Sequence, residues 1–219
     1  MDKKKYKLSK KKRERLLWFQ NYLLLFNNCN NRYINIINNK YYTFKDLFSK
    51  FDIYTTRFNN VTYEENVEFK KKNSIECGCI YGVDKLQTHN MNKVLFVLDM
   101  NNDKNKIMGI GIIICSLSNN QDINIYSKDQ YNNYIYKGNY YIKILNNPNI
   151  ISHWRKFIYD EFEKRLFYGK TNQKRSRGIT RFPIKSIIPQ HILFILNLFI
   201  YFNPNNFTDN QFIKDFIGI

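Results

Sequence analysis

Seven basic residues and no acidic residue lie within the segment 164–181, KRLFYGKTNQKRSRGITR. An arginine side chain can donate two parallel hydrogen bonds to the oxygens of one phosphate. Glycines let backbone amides approach a phosphate, and aromatic rings stack on bases. The segment is therefore expected to be a loop that binds the phosphates of a nucleic acid, and both DNA and RNA stay open. Its candidate contact residues are Lys170, Lys174, Arg175, Arg177, Gly178 and Arg181.

The whole chain has the same excess of positive charge. Its 35 Lys and Arg against 18 Asp and Glu give a net charge of +17 and a pI near 9.6. A field of that size attracts polyanions. Some lysines reflect the codon bias of an AT-rich genome, which affects arginine less. The arginines of the segment 164–181 therefore favour a nucleic-acid partner more strongly than the lysine count does.

The chain is expected to form a basic arm at 1–15 followed by a single α+β domain at 16–219. A length of 219 residues with 43% hydrophobic and 17% aromatic residues is enough for one sizeable core. The charged N-terminus does not resemble a secretory signal, and the apolar stretch 192–202 is too short to span a bilayer. An intracellular, reducing compartment without a membrane partner is predicted, namely the cytoplasm or nucleus, or the viral factory if the source is a virus. The oligomeric state stays open.

The middle of the chain predicts a sheet and the ends predict helices. Two β-branched apolar runs, 94–100 and 107–115, are joined by a short polar segment, which is typical of an antiparallel hairpin buried on both faces. The pattern indicates a curved, mostly antiparallel sheet packed among N- and C-terminal helices. Further strands are expected at 123–126, 134–136 and 140–144, and Lys137-Gly138-Asn139 has the residues of a turn that would join the last two into a hairpin. Helices are expected at 16–26, from Thr43 with Phe51 on its buried face, at 152–167 and at 190–202.

Cysteine and histidine spacing gives little sign of a metal site. Cys77 and Cys79 form one CxC pair without a second pair, and the three histidines lack ligand spacing. Reduced thiols and no metal or cofactor are therefore expected.

Two classes of enzyme require residue patterns that parts of this sequence resemble. A Mg²⁺-dependent nuclease of the PD-(D/E)xK type needs an acid and then Glu-x-Lys on a strand, which Asp52, Glu68 and Lys70 would supply. An acetyltransferase needs its pyrophosphate loop directly after the strand that contains Gly109, but the nearest imitation, 175–180, lies far downstream. The residues favour a non-enzymatic protein, with the nuclease as the first alternative. A structural or assembly protein of a ribonucleoprotein or virion is the second.

Several short motifs lie between 94 and 181: Met100-Asn101-Asn102, Asn105-Lys106-Ile107, Gly109-Ile110-Gly111, Tyr131-Asn132-Asn133-Tyr134, Tyr136-Lys137-Gly138, Gly169-Lys170 and Lys174-Arg175-Ser176-Arg177-Gly178-Ile179-Thr180. Together they resemble an uncharacterised family encoded by large nucleocytoplasmic DNA viruses. The chain departs from that family at Ser176, where the family has glycine, and at Asn133, where it has arginine. The resemblance implies a viral source and no established activity.

The strand that ends in the run 107–111 is also similar to PUA-like modules, including the EVE and YTH groups. This resemblance implies a barrel that holds a modified or flipped nucleotide against aromatic side chains. The candidate base pocket consists of Gly109, Gly111, Tyr134, Tyr136 and Trp154. The alternative is that the two glycines make room for a packed helix and that the aromatic residues belong to the core.

Overall fold

The computed structural model describes residues 49–75, 78–83, 93–114, 123–168, 172–175, 178–183 and 189–202. The basic arm at 1–15, the helix expected at 16–26, and Cys77, Lys170 and Arg177 lie outside these residues. The strands are β1 (Phe51–Phe58), β2 (Cys79–Val83), β3 (Val94–Asn101), β4 (Lys106–Ile114), β5 (Tyr134–Gly138), β6 (Tyr140–Lys143) and β7 (Thr180–Arg181). The helices are α1 (Asn60–Lys72), α2 (Ser152–Phe157), α3 (Lys164–Phe167) and α4 (Pro189–Phe202), with a π-helical segment (Ile158–Glu163) between α2 and α3 and a 3₁₀ turn (Asp129–Tyr131).

The α+β class is confirmed, with a mixed sheet of five strands in the order β6-β4-β3-β1-β7. Strands β1 and β3 pair in parallel from Phe51↔Val94 to Phe58↔Asn101, and the other neighbours are antiparallel. The sheet ends at β6 on one side and at β7 on the other, and β2 and β5 form a separate two-stranded sheet. Because β1 and β3 are parallel, their carboxyl ends meet at one edge, and this edge positions the candidate site.

The expected hairpin is confirmed as β3 and β4, which pair antiparallel. All eight residues of β3 are buried, because the sheet separates two hydrophobic cores. Phe96 and Leu98 belong to the core under the helices, whereas Leu95 and Val97 belong to the core under β2, β5 and α1. Burial on both faces explains why these strands read as continuous apolar runs and not as an alternating pattern.

The two helices predicted from the second half of the chain are also confirmed. The first runs from α2 through the π-helical segment to α3, and Trp154, Phe157 and Phe162 on its apolar face are almost completely buried. The second is α4, whose Phe194 stacks on Phe157 with ring centroids 4.0 Å apart. No helix in the described part of the chain combines the length and apolar character of a membrane span.

Three expectations about local structure are wrong. Residues 123–126 do not form a strand, because the amides of Ile125 and Tyr126 donate to the side chain of Asn132 and not to a neighbouring strand. Strands β5 and β6 do form, but they pair with β2 and β4 and not with each other. Phe51 begins β1 and does not continue a helix from Thr43.

Candidate nucleotide site

A cavity of about 300 Å³ lies at the edge where β1 and β3 end. Two of the described residues that line it are basic, none is acidic, and most of the others carry amides, hydroxyls or aromatic rings. The cavity therefore favours an anionic ligand with a polar, flat portion. Its lining consists of Arg57 and Lys174, then Asn59, Asn102, Gln130, Thr56 and Thr62, then Phe58, Tyr126 and Tyr131, and finally Gly82, Val83 and Gly178.

Arg57 is the half-buried cation of this cavity. Its guanidinium donates to neutral acceptors: the carbonyls of Gln173 and Gly178, the latter at 3.1 Å, and the hydroxyl of Thr180 at 2.7 Å. No ion pair to Arg57 occurs among the described residues. Burial lowers the pKa of Arg57 to about 10, so it stays charged at neutral pH. Its charge is therefore available to attract an anion at the cavity.

The hydrogen bonds of Arg57 fix the basic loop, of which 172–175 and 178–181 are described, to the end of β1. The Asn102 side chain adds a further bond by donating to the Lys174 carbonyl at 3.0 Å. Gly178 has a φ of 65°, a left-handed conformation that glycine adopts without strain. Lys174 consequently lines the cavity, and Arg175 beside it is exposed. The loop is thus held by a cationic guanidinium and a neutral amide, and by no described acidic side chain, which leaves its own charges uncompensated at this edge.

Helix α1 begins at the cavity wall. Asn59 is its N-cap and forms a capping box with Thr62, whose amide donates to Asn59 Oδ1 at 2.8 Å. The amide of Asn60 donates to Asp103 Oδ2 at 2.8 Å, and Asp103 does not line the cavity. The first turn of α1 contains no acidic residue. The helix dipole therefore adds positive potential to that of the two basic side chains, and Asp103 offsets part of it.

Tyrosines form the aromatic side of the cavity. Tyr126 is buried and its hydroxyl accepts a hydrogen bond from Asn66 at 3.1 Å. Tyr131 packs edge-on to Tyr126 with ring centroids 6.2 Å apart, and 36% of its surface is exposed. A Cβ atom at Gly82 would meet the Tyr131 carbonyl and would lie 3.0 Å from the Tyr126 ring, so glycine is needed for this close packing. The exposed part of Tyr131 can contact a base.

Some of the predicted phosphate-binding residues lie together at the cavity, and one of them, Arg181, lies away from it. Lys174 and Gly178 line the cavity and Arg175 is adjacent. Arg181 instead pairs with Asp52 Oδ2 at 2.7 Å, toward the opposite end of β1. Arg57 and Asp52 are five residues apart on an extended strand, about 16 Å along its axis. Because its charge is neutralised there, Arg181 is the weakest of the predicted phosphate contacts.

The five residues of the predicted base pocket do not surround one cavity. A Cβ atom at Gly109 would meet the Tyr141 hydroxyl, and one at Gly111 would meet the Tyr81 hydroxyl and lie 2.7 Å from Cys79 Sγ. Both glycines therefore make room for internal side chains, which come from strands β6 and β2 and not from the packed helix that the alternative expected. Tyr136 is buried in the core under β2, β5 and α1, Tyr134 packs partly buried against that core, and Trp154 lies in the core on the other side of the sheet.

The nuclease geometry is not present. Glu68 and Lys70 lie on helix α1 and not on a strand, and Asp52 is paired with Arg181. Lys70 Nζ sits 3.8 Å from the centre of the Tyr141 ring. No group of three His, Cys, Asp or Glu side chains suited to a metal occurs in the described parts of the chain.

A second polar cluster is enclosed beneath α1, apart from the cavity. Asp99 on β3 is 2% exposed, and burial raises the pKa of its carboxyl to about 7, against the opposing effects of the Lys70 charge and the hydroxyls of Tyr81 and Tyr141. Burial also lowers the pKa of Lys70. Because burial shifts these pKa values, the contribution of this cluster to the free energy of folding depends on pH.

Sequence reasoning missed Arg57 and Asn102 as site residues. The signal for Arg57 was a single basic residue within the otherwise uncharged end of a strand, YTTRF. Asn102 gave no such signal, because the chain is rich in asparagine. Tyr131 was considered only as one of several tyrosines.

No protein family, curated protein or solved structure matches this chain. The resemblances to the viral family and to PUA-like modules stay predictions.

Proposed function

We propose that this protein binds nucleic acid and does not cleave it, with the basic segment 164–181 contacting phosphates. The expected loop is shorter than that segment, because Lys164–Phe167 form α3 and Thr180–Arg181 form β7. The observation that carries the proposal is the cavity at the end of β1 and β3, which two basic side chains line and no described acidic side chain lines. The net charge of +17 supports it, because such a charge draws a polyanion to the surface from a distance. A PUA-like barrel stays a prediction that the proposal does not require.

Lys174 and Arg175 are the described residues best placed to contact the backbone. Neither forms an ion pair with a described residue, and both belong to the loop that Arg57 holds in place. Each phosphate contact to a duplex adds about 0.9 to the slope of log affinity against log salt, and about 0.7 for a single strand. Losing both contacts should therefore reduce that slope by about 1.4–1.8.

The test measures binding of labelled single strands and duplexes at several salt concentrations, with and without Mg²⁺. The double variant Lys174→Gln with Arg175→Gln should weaken binding and flatten the salt dependence. The matched control is Lys137→Gln with Lys156→Gln, which removes the same charge from exposed positions outside the cavity lining. Equal slopes for the two variants would place the contacts elsewhere.

The same assay separates the alternatives. Binding without cleavage supports the proposal, whereas Mg²⁺-dependent cleavage would support a nuclease. Absence of both would support a structural or assembly role in which the basic residues only cover the surface.

A further inference from the structure

The charge of the cavity indicates which form of phosphate it accepts. Arg57 and Lys174 together supply two positive charges, and no described acidic side chain lines the cavity. An internal phosphodiester carries one negative charge, but a phosphomonoester carries about 1.5 to 2 at pH 7. We propose that the cavity binds a nucleotide phosphomonoester, with its phosphate beside these two cations and its base against Tyr131. The inference rests on the proposed function, because it assigns the same basic residues to phosphate binding.

The size of the cavity limits the ligand to one nucleotide. Its volume of about 300 Å³ is at the lower end of the range for ligand pockets, about 300–1,000 Å³. A run of stacked bases needs an extended groove instead. Two sources share this chemistry: the terminal nucleotide of a phosphorylated strand, and a free mononucleotide.

Asn102 adds a polar group to the lining. Its side chain donates to the Lys174 carbonyl, and its Oδ1 has no hydrogen-bond partner among the described residues. Because Oδ1 is shielded from solvent, it can accept from a ligand hydroxyl or amino group only after the side chain turns. The cavity thus offers one nucleotide two cations, polar side chains and the partly exposed ring of Tyr131.

The experiment compares ten-nucleotide single strands of one sequence with a 5′-phosphate, a 3′-phosphate or hydroxyls at both ends, labelled on an internal base. Fluorescence anisotropy should show that one phosphorylated form binds about tenfold or more tightly than the hydroxyl form, because charge-assisted bonds are the strong ones. Lys174→Gln should reduce this ratio to below about threefold. Tyr131→Ala should weaken binding of the preferred strand by about tenfold. The control Tyr159→Ala, which removes a ring that is 38% exposed and does not line the cavity, should leave it unchanged.

Competition with a free nucleoside monophosphate then identifies the source. Displacement at a concentration close to the strand's own Kd would assign the site to mononucleotides, and displacement only at far higher concentration would assign it to strand ends. Equal binding of all three strands, without displacement by the mononucleotide, would overturn this inference and leave the proposed function standing. Failure of every strand to bind would overturn the proposed function itself. An unchanged ratio in a folded Lys174→Gln variant, checked by circular dichroism, would show that the phosphate is bound elsewhere.

Discussion

Replacement of Asp99 by asparagine should change how the stability of this protein depends on pH. Asp99 is 2% exposed, and its pKa rises from an ordinary 3.8 to about 7, mainly because of burial. The folded state therefore binds a proton that the unfolded state releases, and stability falls as pH rises from 3.8 to 7. A shift of about three units corresponds to a loss of about 4 kcal/mol in the free energy of unfolding. This loss is complete above pH 7 and absent below pH 3.8.

The assay is urea unfolding of wild type and Asp99→Asn between pH 5 and pH 8. Asparagine does not titrate, so the stability of the variant relative to wild type should increase by about 3 kcal/mol over this range. Any constant cost of the buried amide cancels in that comparison. The control Asp129→Asn makes the same chemical change at an exposed position and measures the effect of the substitution without burial. A constant difference for Asp99→Asn would refute the reasoning, because it would mean that folding does not shift the proton affinity of this carboxyl.

Three further predictions concern packing and the position of the loop. Gly111→Ala should lower the free energy of unfolding, measured with urea, by about 1–3 kcal/mol, because the added Cβ meets the Tyr81 hydroxyl. Adding Tyr81→Phe, which removes that hydroxyl, should restore part of the loss. Glu163→Gln should lower the free energy of unfolding, measured by thermal unfolding, by about 3 kcal/mol. The reason is that this fully buried carboxylate accepts hydrogen bonds from Lys106 Nζ at 3.0 Å and from the Ile107 amide at 2.9 Å. A loss below about 1 kcal/mol would contradict its structural role. Arg57→Lys should increase hydrogen exchange in a peptide covering 172–183 without changing global stability, since lysine cannot make the same forked set of donations.

The elements built on local patterns were predictable from the sequence. The runs 94–100 and 107–115 predicted the hairpin of β3 and β4, because continuous β-branched apolar residues fit a strand that is buried on both faces. The spacing of apolar residues also predicted both helices of the second half. The charge of the loop identified Lys174 and Gly178, which line the cavity.

Partners distant in the sequence were not predictable. The turn residues around Gly138 suggested a hairpin, yet β5 pairs with β2 and β6 pairs with β4. A local turn signal does not specify which strand edge a segment joins, because that depends on which faces the whole chain buries. The sequence likewise left open what fills the space beside Gly111, which Tyr81 occupies from 30 residues earlier.

The candidate site itself depends on tertiary structure. Local patterns indicate that a residue is in a strand or a loop, but they do not specify which strands are parallel. The parallel pairing of β1 and β3 brings Arg57 and Asn102 to one edge, and the hydrogen bonds of Arg57 then hold a loop that lies more than a hundred residues further along the chain. The sequence alone determined that this protein carries a large excess of positive charge, part of it concentrated in the segment 164–181. The pairing of distant segments decided where two basic side chains meet with no described acidic side chain beside them, because only packing fixes which groups share a cavity.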